Sequence, residues 1–487
     1  MTRTVAVVGG GIAGLAAAWE LSRATPAPRV ILLEAAERPG GKLLTETVGD
    51  RLVDLGPDAF VARRPEAIEL CAELGLTDDL VAPGVRGAYV WARGRLRRLP
   101  AGLALGVPTR FGPLLRSGIC SPAGLVPPAR DLLRPAPAAP APGTTDRAGR
   151  GDRAGRGDRA VGGDRAVGEL VRLRLGPQVT ARLAAPLIGG IHAGDIDTMS
   201  AAAVFPPLLA AAARPGSLMR ALGATLPPAA DGPVFLSLRG GMGRLTDELA
   251  GALARAGVEL RLGTMVSGLR RETSDRGGRW SLRTGPGDGD EIAADAVVVC
   301  LPALPAAGLL RPHDGALAGM LETVTYASVA IVTLRLPADA VGRRLDGSGF
   351  LVPRAEGGGP DPLVTACTWL SAKWPELDRP GDLLIRASVG RQGDDRHTTM
   401  TDTELLAACR GELGRMMDLR RDPLETVVTR WPQSFPQYTV GHLDRVAAVE
   451  AAAARLGGLA LAGAALHGVG IPACIGSGRQ AARAVLL

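Results

Sequence analysis

VVGGGIAGLAAA, residues Val7 to Ala18, decides the fold. Gly9, Gly11 and Gly14 keep the spacing GxGxxG between an apolar β-type run, TVAVVGG, and a helix-forming run, GLAAAWELSRA, in which Leu15, Ala18, Trp19 and Ser22 recur at helical spacing. RVILLEA follows as a second β-type run. Strand, glycine turn, helix and strand make the βαβ unit of a parallel sheet, so the chain is α/β with a Rossmann-like domain. Gly9 permits the tight turn, Gly11 admits a pyrophosphate close to the backbone, and Gly14 lets the helix pack on the sheet. Gly10, Ile12 and Ala13 complete the turn, and the helix N-terminus faces the anion. Glu34 stands twenty residues after Gly14, where an acid accepts hydrogen bonds from a ribose diol. A glycine turn in an Ala-rich helical protein is the competing reading, and it leaves the flanking strands and the acid unexplained.

Working outward, AAERPGGKLLTETV places Arg38, Gly41 and Lys42 just beyond Glu34 and Ala35, with an alternating tail that predicts a strand. A second glycine pair beside a cation brings backbone and charge to the same pyrophosphate, as an extended FAD requires. In VDLGPDAF, Gly56, Pro57, Asp58 and Ala59 form a turn that either borders a flavin or lies at the surface. DAVVVCLPA, WSLRT and YASVAIVTLRL predict further strands.

At 487 residues with 46% hydrophobic content, the chain supports two or three domains and a sizeable core. Its net charge of +7 is spread along the sequence, which argues against nucleic acid as a partner. Six separated cysteines and five isolated histidines give no metal-ligand spacing, and the cysteine usage points to a reducing compartment. The apolar N-terminus is explained by the glycine fingerprint, so a cytoplasmic protein without a signal peptide is expected. PAPAAPAPG and the units DRAGRG, DRAGRG, DRAVGG and DRAVGE predict a disordered linker at 135–163. Asp164 is expected to cap a helix over VGELVRLRLG that Gly176 closes.

The run from Leu456 to Gly478 has no Asp, Glu, Lys or Arg and is long enough to cross a bilayer. Seven glycines and Pro472 divide it instead into a strand, the turn HGVGIP and a C-terminal helix. That turn is expected to bring backbone N–H groups to a flavin.

The opening VVGGGIAGL with LLEAAERPGGK, together with LRGGMGRLTDELA, resembles the flavin amine oxidase, desaturase and protoporphyrinogen oxidase superfamily. DLGPDAF, PLIGGIHAGDIDTMSAAAVFP, SAKWP, WPQSFPQYTVGH and GAALHGVGIPACIGSGRQAA narrow the resemblance to the bacterial porphyrinogen oxidases of haem biosynthesis, the coproporphyrinogen III oxidase type in particular. The resemblance implies FAD contacts at Gly9 to Gly14, Glu34, Ala35, Lys42 and Gly56 to Ala59, beside Arg38 and Gly41, which the second glycine pair already suggests. It also implies backbone contacts near adenine at Val266, and a flavin flanked by Trp431 and by Gly468, Val469, Gly470 and Ile471. It implies an FAD domain (1–62, 230–300, 426–487) and a mixed-sheet substrate domain (63–95, 195–229, 301–425). The remaining segment, 96–194, would be a helical region in peripheral contact with membrane, where RLRRLPAGLALGVP sets basic beside apolar residues.

The reaction implied is six-electron oxidation of a porphyrinogen, with dioxygen as acceptor and hydrogen peroxide released. Later enzymes of the haem pathway are the implied partners. No Ser/His/Asp order and no general base stand out, so no catalytic side chain is assigned, His192 and His467 included. Arg63, Arg64 and Lys373 are candidates to meet propionates. Protoporphyrinogen as substrate, an amine oxidase or carotenoid desaturase, and a flavin-binding protein without turnover are the alternatives.

Overall fold

The computed structural model describes residues 2–135, 163–225, 232–272, 278–285, 290–356 and 359–487. The expected linker at 135–163 lies almost wholly outside the described residues. A five-stranded sheet, ordered Glu259–Arg261, Arg29–Leu33, Thr4–Val8, Ala296–Val299 and Leu459–Leu461, is parallel throughout. Its central strands, TVAVV and AVVV, are buried along their whole length. A parallel sheet covered on both faces requires such unbroken apolar runs.

One face carries the first helix, Ile12–Ser22, the helix Gly243–Arg255 and the last helix, Ile471–Leu486. The other carries a three-stranded antiparallel sheet, Val266–Glu272, Arg279–Thr284 and Glu291–Ala294, with helices Ala303–Leu310, Gly315–Glu322 and His442–Arg455. The first and last helices touch at Gly478, where an added Cβ would stand 2.0 Å from the Ala13 carbonyl oxygen. Only glycine permits that approach, and it joins the two ends of the sequence.

A seven-stranded mixed sheet forms the second layer. Its order is Glu425–Pro436, Tyr326–Pro337, Asp382–Val389, Val364–Trp369, Gly349–Leu351, Tyr89–Ala92, Arg95–Arg98. Every pairing is antiparallel except Gly349–Leu351 with Tyr89–Ala92. Residues 426–436, expected with the FAD domain, therefore lie in this sheet, because Glu425–Pro436 pairs with Tyr326–Pro337 over nearly its full length. Helix Asp402–Met417 covers the sheet and starts with a reciprocal cap between Thr401 and Glu404.

The third layer is helical, built from Phe111–Ser117, Val126–Leu132, Val167–Val179, Ala185–His192 and shorter pieces around one core. Two local expectations change here. Asp164 does not cap the helix that follows it. Its carboxylate accepts from Ala202 N (3.1 Å) and Gly441 N (2.8 Å), tying two other helix starts together. Gly176 adopts φ 81° but kinks the helix rather than ending it, and the chain continues through Val179. The apolar residues of GLALGVP are buried or half-buried, whereas Leu115, Val126 and Leu133 of the next helices are exposed. Among the described residues no helix is long and apolar enough to cross a membrane, and Leu456–Gly478 folds as strand, turn and helix.

Candidate flavin site

The glycine turn separates into packed and open positions. A Cβ on Gly9 would lie 2.8 Å from the Cys300 carbonyl oxygen, and one on Gly14 would lie 1.8 Å from the Gly9 carbonyl oxygen. A Cβ on Gly11 would meet nothing within 4 Å. Gly11 is therefore the position left open to an anion at the start of the first helix, where Gly11 supplies no side-chain cap. The second glycine pair closes on the same opening. Gly40 N donates to Gly10 O (2.8 Å), Gly11 and Gly40 form a parallel bridge, and Gly41 comes within 3.3 Å of Gly11 when a Cβ is added.

The two cations beside this opening have different surroundings. Arg38 donates to the carbonyls of Pro39 (3.1 Å), Leu43 (3.2 Å) and Gly41 (2.6 Å), so its guanidinium braces the loop that carries Lys42. Lys42 itself has no ion-pair or hydrogen-bond partner among the described residues. Burial lowers its pKa. An ammonium group that is partly desolvated and unpaired is suited to an anionic ligand, and the donor set fits a pyrophosphate. Glu34 already accepts from Gly10 N (2.5 Å) and Ala36 N (2.8 Å), which fixes its carboxylate while each oxygen keeps a further acceptor position for a diol. Thr264 N donates to Glu34 O (2.7 Å), so the loop leading to Val266 runs beside the same acid, and Ala35 is exposed next to it.

The turn from Leu55 to Ala59 belongs to the same cradle. A Cβ on Gly56 would lie 2.0 Å from the Lys42 carbonyl oxygen and 3.8 Å from the Trp431 ring. Trp431 Nε1 donates to Leu55 O (2.9 Å), which fixes the indole against the turn. Asp58 departs from expectation, since it faces protein cations. Its carboxylate pairs with Lys373 (2.8 Å) and Arg386 (3.2 Å) and accepts from Trp374 Nε1 (3.0 Å). Burial pushes its pKa up, but Lys373 and Arg386 more than offset this and hold the carboxyl well below its usual value. Lys373, considered above for propionates, is thus committed to Asp58, and Arg64 is paired with Glu66 (2.6 Å). Pro57 and Arg63 are exposed.

The C-terminal loop reaches the cradle from the far end of the chain. Gly468 has φ 142°, and a Cβ there would stand 2.7 Å from Ala473 and 3.9 Å from the Arg64 guanidinium. Gly470 precedes the last helix, Ile471 is buried at its start, and Val469 is half-buried. Cys474 sits under this loop and Cys300 against the Gly9 turn, and burial pushes their thiols up to about 11 and about 12. They are neutral apolar packing rather than nucleophiles. His467 is exposed and paired with Glu450 (2.6 Å).

Sequence reasoning missed the anchor beneath the cradle. Asp54 accepts from Thr45 Oγ1 (2.5 Å) and Met242 N (2.8 Å), and Gly243 N donates to Thr45 Oγ1 (2.8 Å). This explains the GGMG turn, because a Cβ on Gly241 would lie 2.5 Å from Thr45. Burial nevertheless raises the Asp54 carboxyl to about 6.

A family model described as flavin containing amine oxidoreductase matches residues 12–486. The chain belongs to the flavin-containing amine oxidoreductase family. Its cofactor is a flavin, and FAD is the form that a dinucleotide fingerprint calls for. Within this family, the chain is 32% identical to coproporphyrinogen III oxidase of Bacillus subtilis (strain 168), covering 98% of this chain and 96% of that protein. It is 36% identical to coproporphyrinogen III oxidase of Mycobacterium tuberculosis (strain ATCC 25618 / H37Rv), covering 99% and 97%. A crystal structure from Exiguobacterium sp. 255-15, provisionally assigned to the protoporphyrinogen oxidases, superposes with a TM-score of 0.83 at 31% identity, covering 100% of this chain and 99% of that one.

Proposed function

We propose that this flavoprotein oxidises coproporphyrinogen III to coproporphyrin III in haem biosynthesis, with dioxygen as the electron acceptor and hydrogen peroxide as its product. The observation that carries the substrate is the end-to-end similarity, at 32% and 36% identity, to two proteins named for this reaction. When bound, the flavin would supply the redox chemistry, as acceptor of the electron pairs that leave the porphyrinogen. The chain binds and orients. Gly9 to Gly14, Gly41 and Lys42 hold the pyrophosphate, and Glu34, Ala35 and the backbone at Val266 hold the adenosine. Arg38 acts by bracing the loop. Gly56, Pro57, Ala59 and Trp431 border the flavin, and Asp58 locks that border to the mixed sheet through Lys373 and Arg386. Gly468 to Ile471 aim the N–H groups of the last helix at the edge where negative charge develops.

Exposed Leu115, Val126 and Leu133, next to Arg116, Arg130 and Arg134, support a peripheral membrane contact by the helical layer. Anaerobic mixing tests the reading. Coproporphyrinogen III should bleach the flavin at once, and a flavin that stays oxidised refutes it.

A further inference from the structure

His192 ends the helix Ala185–His192, and the turn after it is held at three points. The His192 carbonyl accepts from Gln437 Nε2 (3.0 Å), the Ala193 carbonyl accepts from Gln392 N (2.7 Å), and Gly194 N donates to Gly189 O (3.0 Å). Ala193 holds φ 47°, a strained conformation for a residue with a Cβ. The backbone therefore fixes where the imidazole stands.

That place is where the helical layer meets the mixed sheet. On one side Ala193 packs with Ala327, Val329, Trp431 and Phe435. On the other the imidazole centroid is 6.0 Å from that of Tyr438, whose hydroxyl donates to Ala464 O (2.5 Å). Trp431 is tied to the Leu55 turn and Tyr438 to the strand exit before the Gly468 loop, so His192 is bracketed by the two turns assigned to the flavin. Ligands gather at such domain seams. The Nδ1 atom is buried without a partner, whereas Nε2 is neither buried nor paired among the described residues. Burial alone lowers the ring's pKa, to about 4, so at neutral pH it is an uncharged imidazole.

We propose that His192 is a substrate-positioning contact whose Nε2 accepts a hydrogen bond from a pyrrole N–H of the tetrapyrrole core and sets the macrocycle against Trp431. The chemistry is complementary. A porphyrinogen presents N–H donors at its centre and carboxylates at its rim; an uncharged nitrogen acceptor suits the centre, and an arginine or lysine suits the rim. With Nε2 as acceptor the ring proton resides on Nδ1, a buried N–H with no acceptor among the described residues, a cost that the substrate contact must exceed. This assignment rests on the porphyrinogen reading above.

The test uses flavin-loaded wild type, His192→Phe, which keeps the ring against Tyr438 without an acceptor, and His192→Gln, which restores one. Flavin content and melting temperature are measured first, then KM and kcat with coproporphyrinogen III and the Kd of coproporphyrin III by fluorescence. The Phe variant should raise KM and Kd about fivefold to tenfold with kcat nearly unchanged, the signature of lost binding in both ground and transition states. The Gln variant should recover most of that loss. Should the Phe variant fail to fold, His192→Leu supplies the same contrast with Gln. Wild-type KM and Kd without an acceptor, or a loss that Gln does not repair, overturns the assignment. A wild-type protein that neither binds nor oxidises the tetrapyrrole overturns the parent reading instead.

Discussion

Gly478 and Ala13 touch so closely that a Cβ at 478 would stand 2.0 Å from the Ala13 carbonyl oxygen. This contact sets the helix that leaves the fingerprint beside the helix that leaves the HGVGIP turn. Gly478→Ala should cost about 1–3 kcal/mol, the range for overpacking, and should lower flavin retention with it. Thermal melting and flavin absorbance per mole of protein check both effects. An unchanged melting temperature would show that the helices part without cost.

The fingerprint glycines should separate experimentally. Gly11→Ala meets no atom within 4 Å and its φ of −68° suits alanine, so the apoprotein should keep its stability to within about 0.5 kcal/mol while flavin occupancy falls sharply. Gly14→Ala meets the Gly9 carbonyl oxygen at 1.8 Å and should destabilise the apoprotein at least as much as Gly478→Ala. Circular dichroism of apoprotein and flavin content distinguish the two outcomes.

Lys42→Met removes a cation that stands beside the pyrophosphate opening without a partner among the described residues. Flavin affinity should fall by about tenfold or more, and the salt dependence of flavin binding should weaken, both measured by titrating apoprotein with FAD. Equal affinity in the two proteins would remove Lys42 from the site.

Asp58 and Asp54 should give opposite pH signatures. The Asp58 carboxyl is depressed, so its contribution is present above the unfolded value of about 3.9 and is lost as pH falls toward the folded value. Asp58→Asn leaves Lys373 and Arg386 without their shared carboxylate and should cost about 3–5 kcal/mol near neutral pH, with a smaller difference from wild type below about pH 4. Asp54 is raised to about 6, so its contribution is present below the unfolded value and is lost as pH rises through the folded one. Asp54→Asn keeps the acceptor for Thr45 and Met242 and should flatten stability between pH about 4 and about 6. Urea unfolding across pH measures both.

Much of this architecture was legible in local spacing. The GxGxxG turn, Glu34, the second glycine pair and the broken C-terminal run each carry their meaning within a few residues. The partners of charged groups were not legible. Asp58 meets Lys373, Asp164 meets Gly441, and Gly478 meets Ala13 across hundreds of residues, and no periodicity encodes such contacts. The loop carbonyls that Arg38 braces were not legible for a related reason: a cation next to a glycine loop serves ligand phosphate and loop carbonyls equally well until the loop's path is known.

The central claim is a porphyrinogen oxidised by this flavin site at the expense of dioxygen. Aerobic incubation of the flavin-loaded protein with coproporphyrinogen III, followed by porphyrin fluorescence and peroxide release, tests it most directly. Coproporphyrin III should form far above the enzyme-free rate, with one peroxide for each electron pair removed. Porphyrin formation no faster than the enzyme-free control would contradict it.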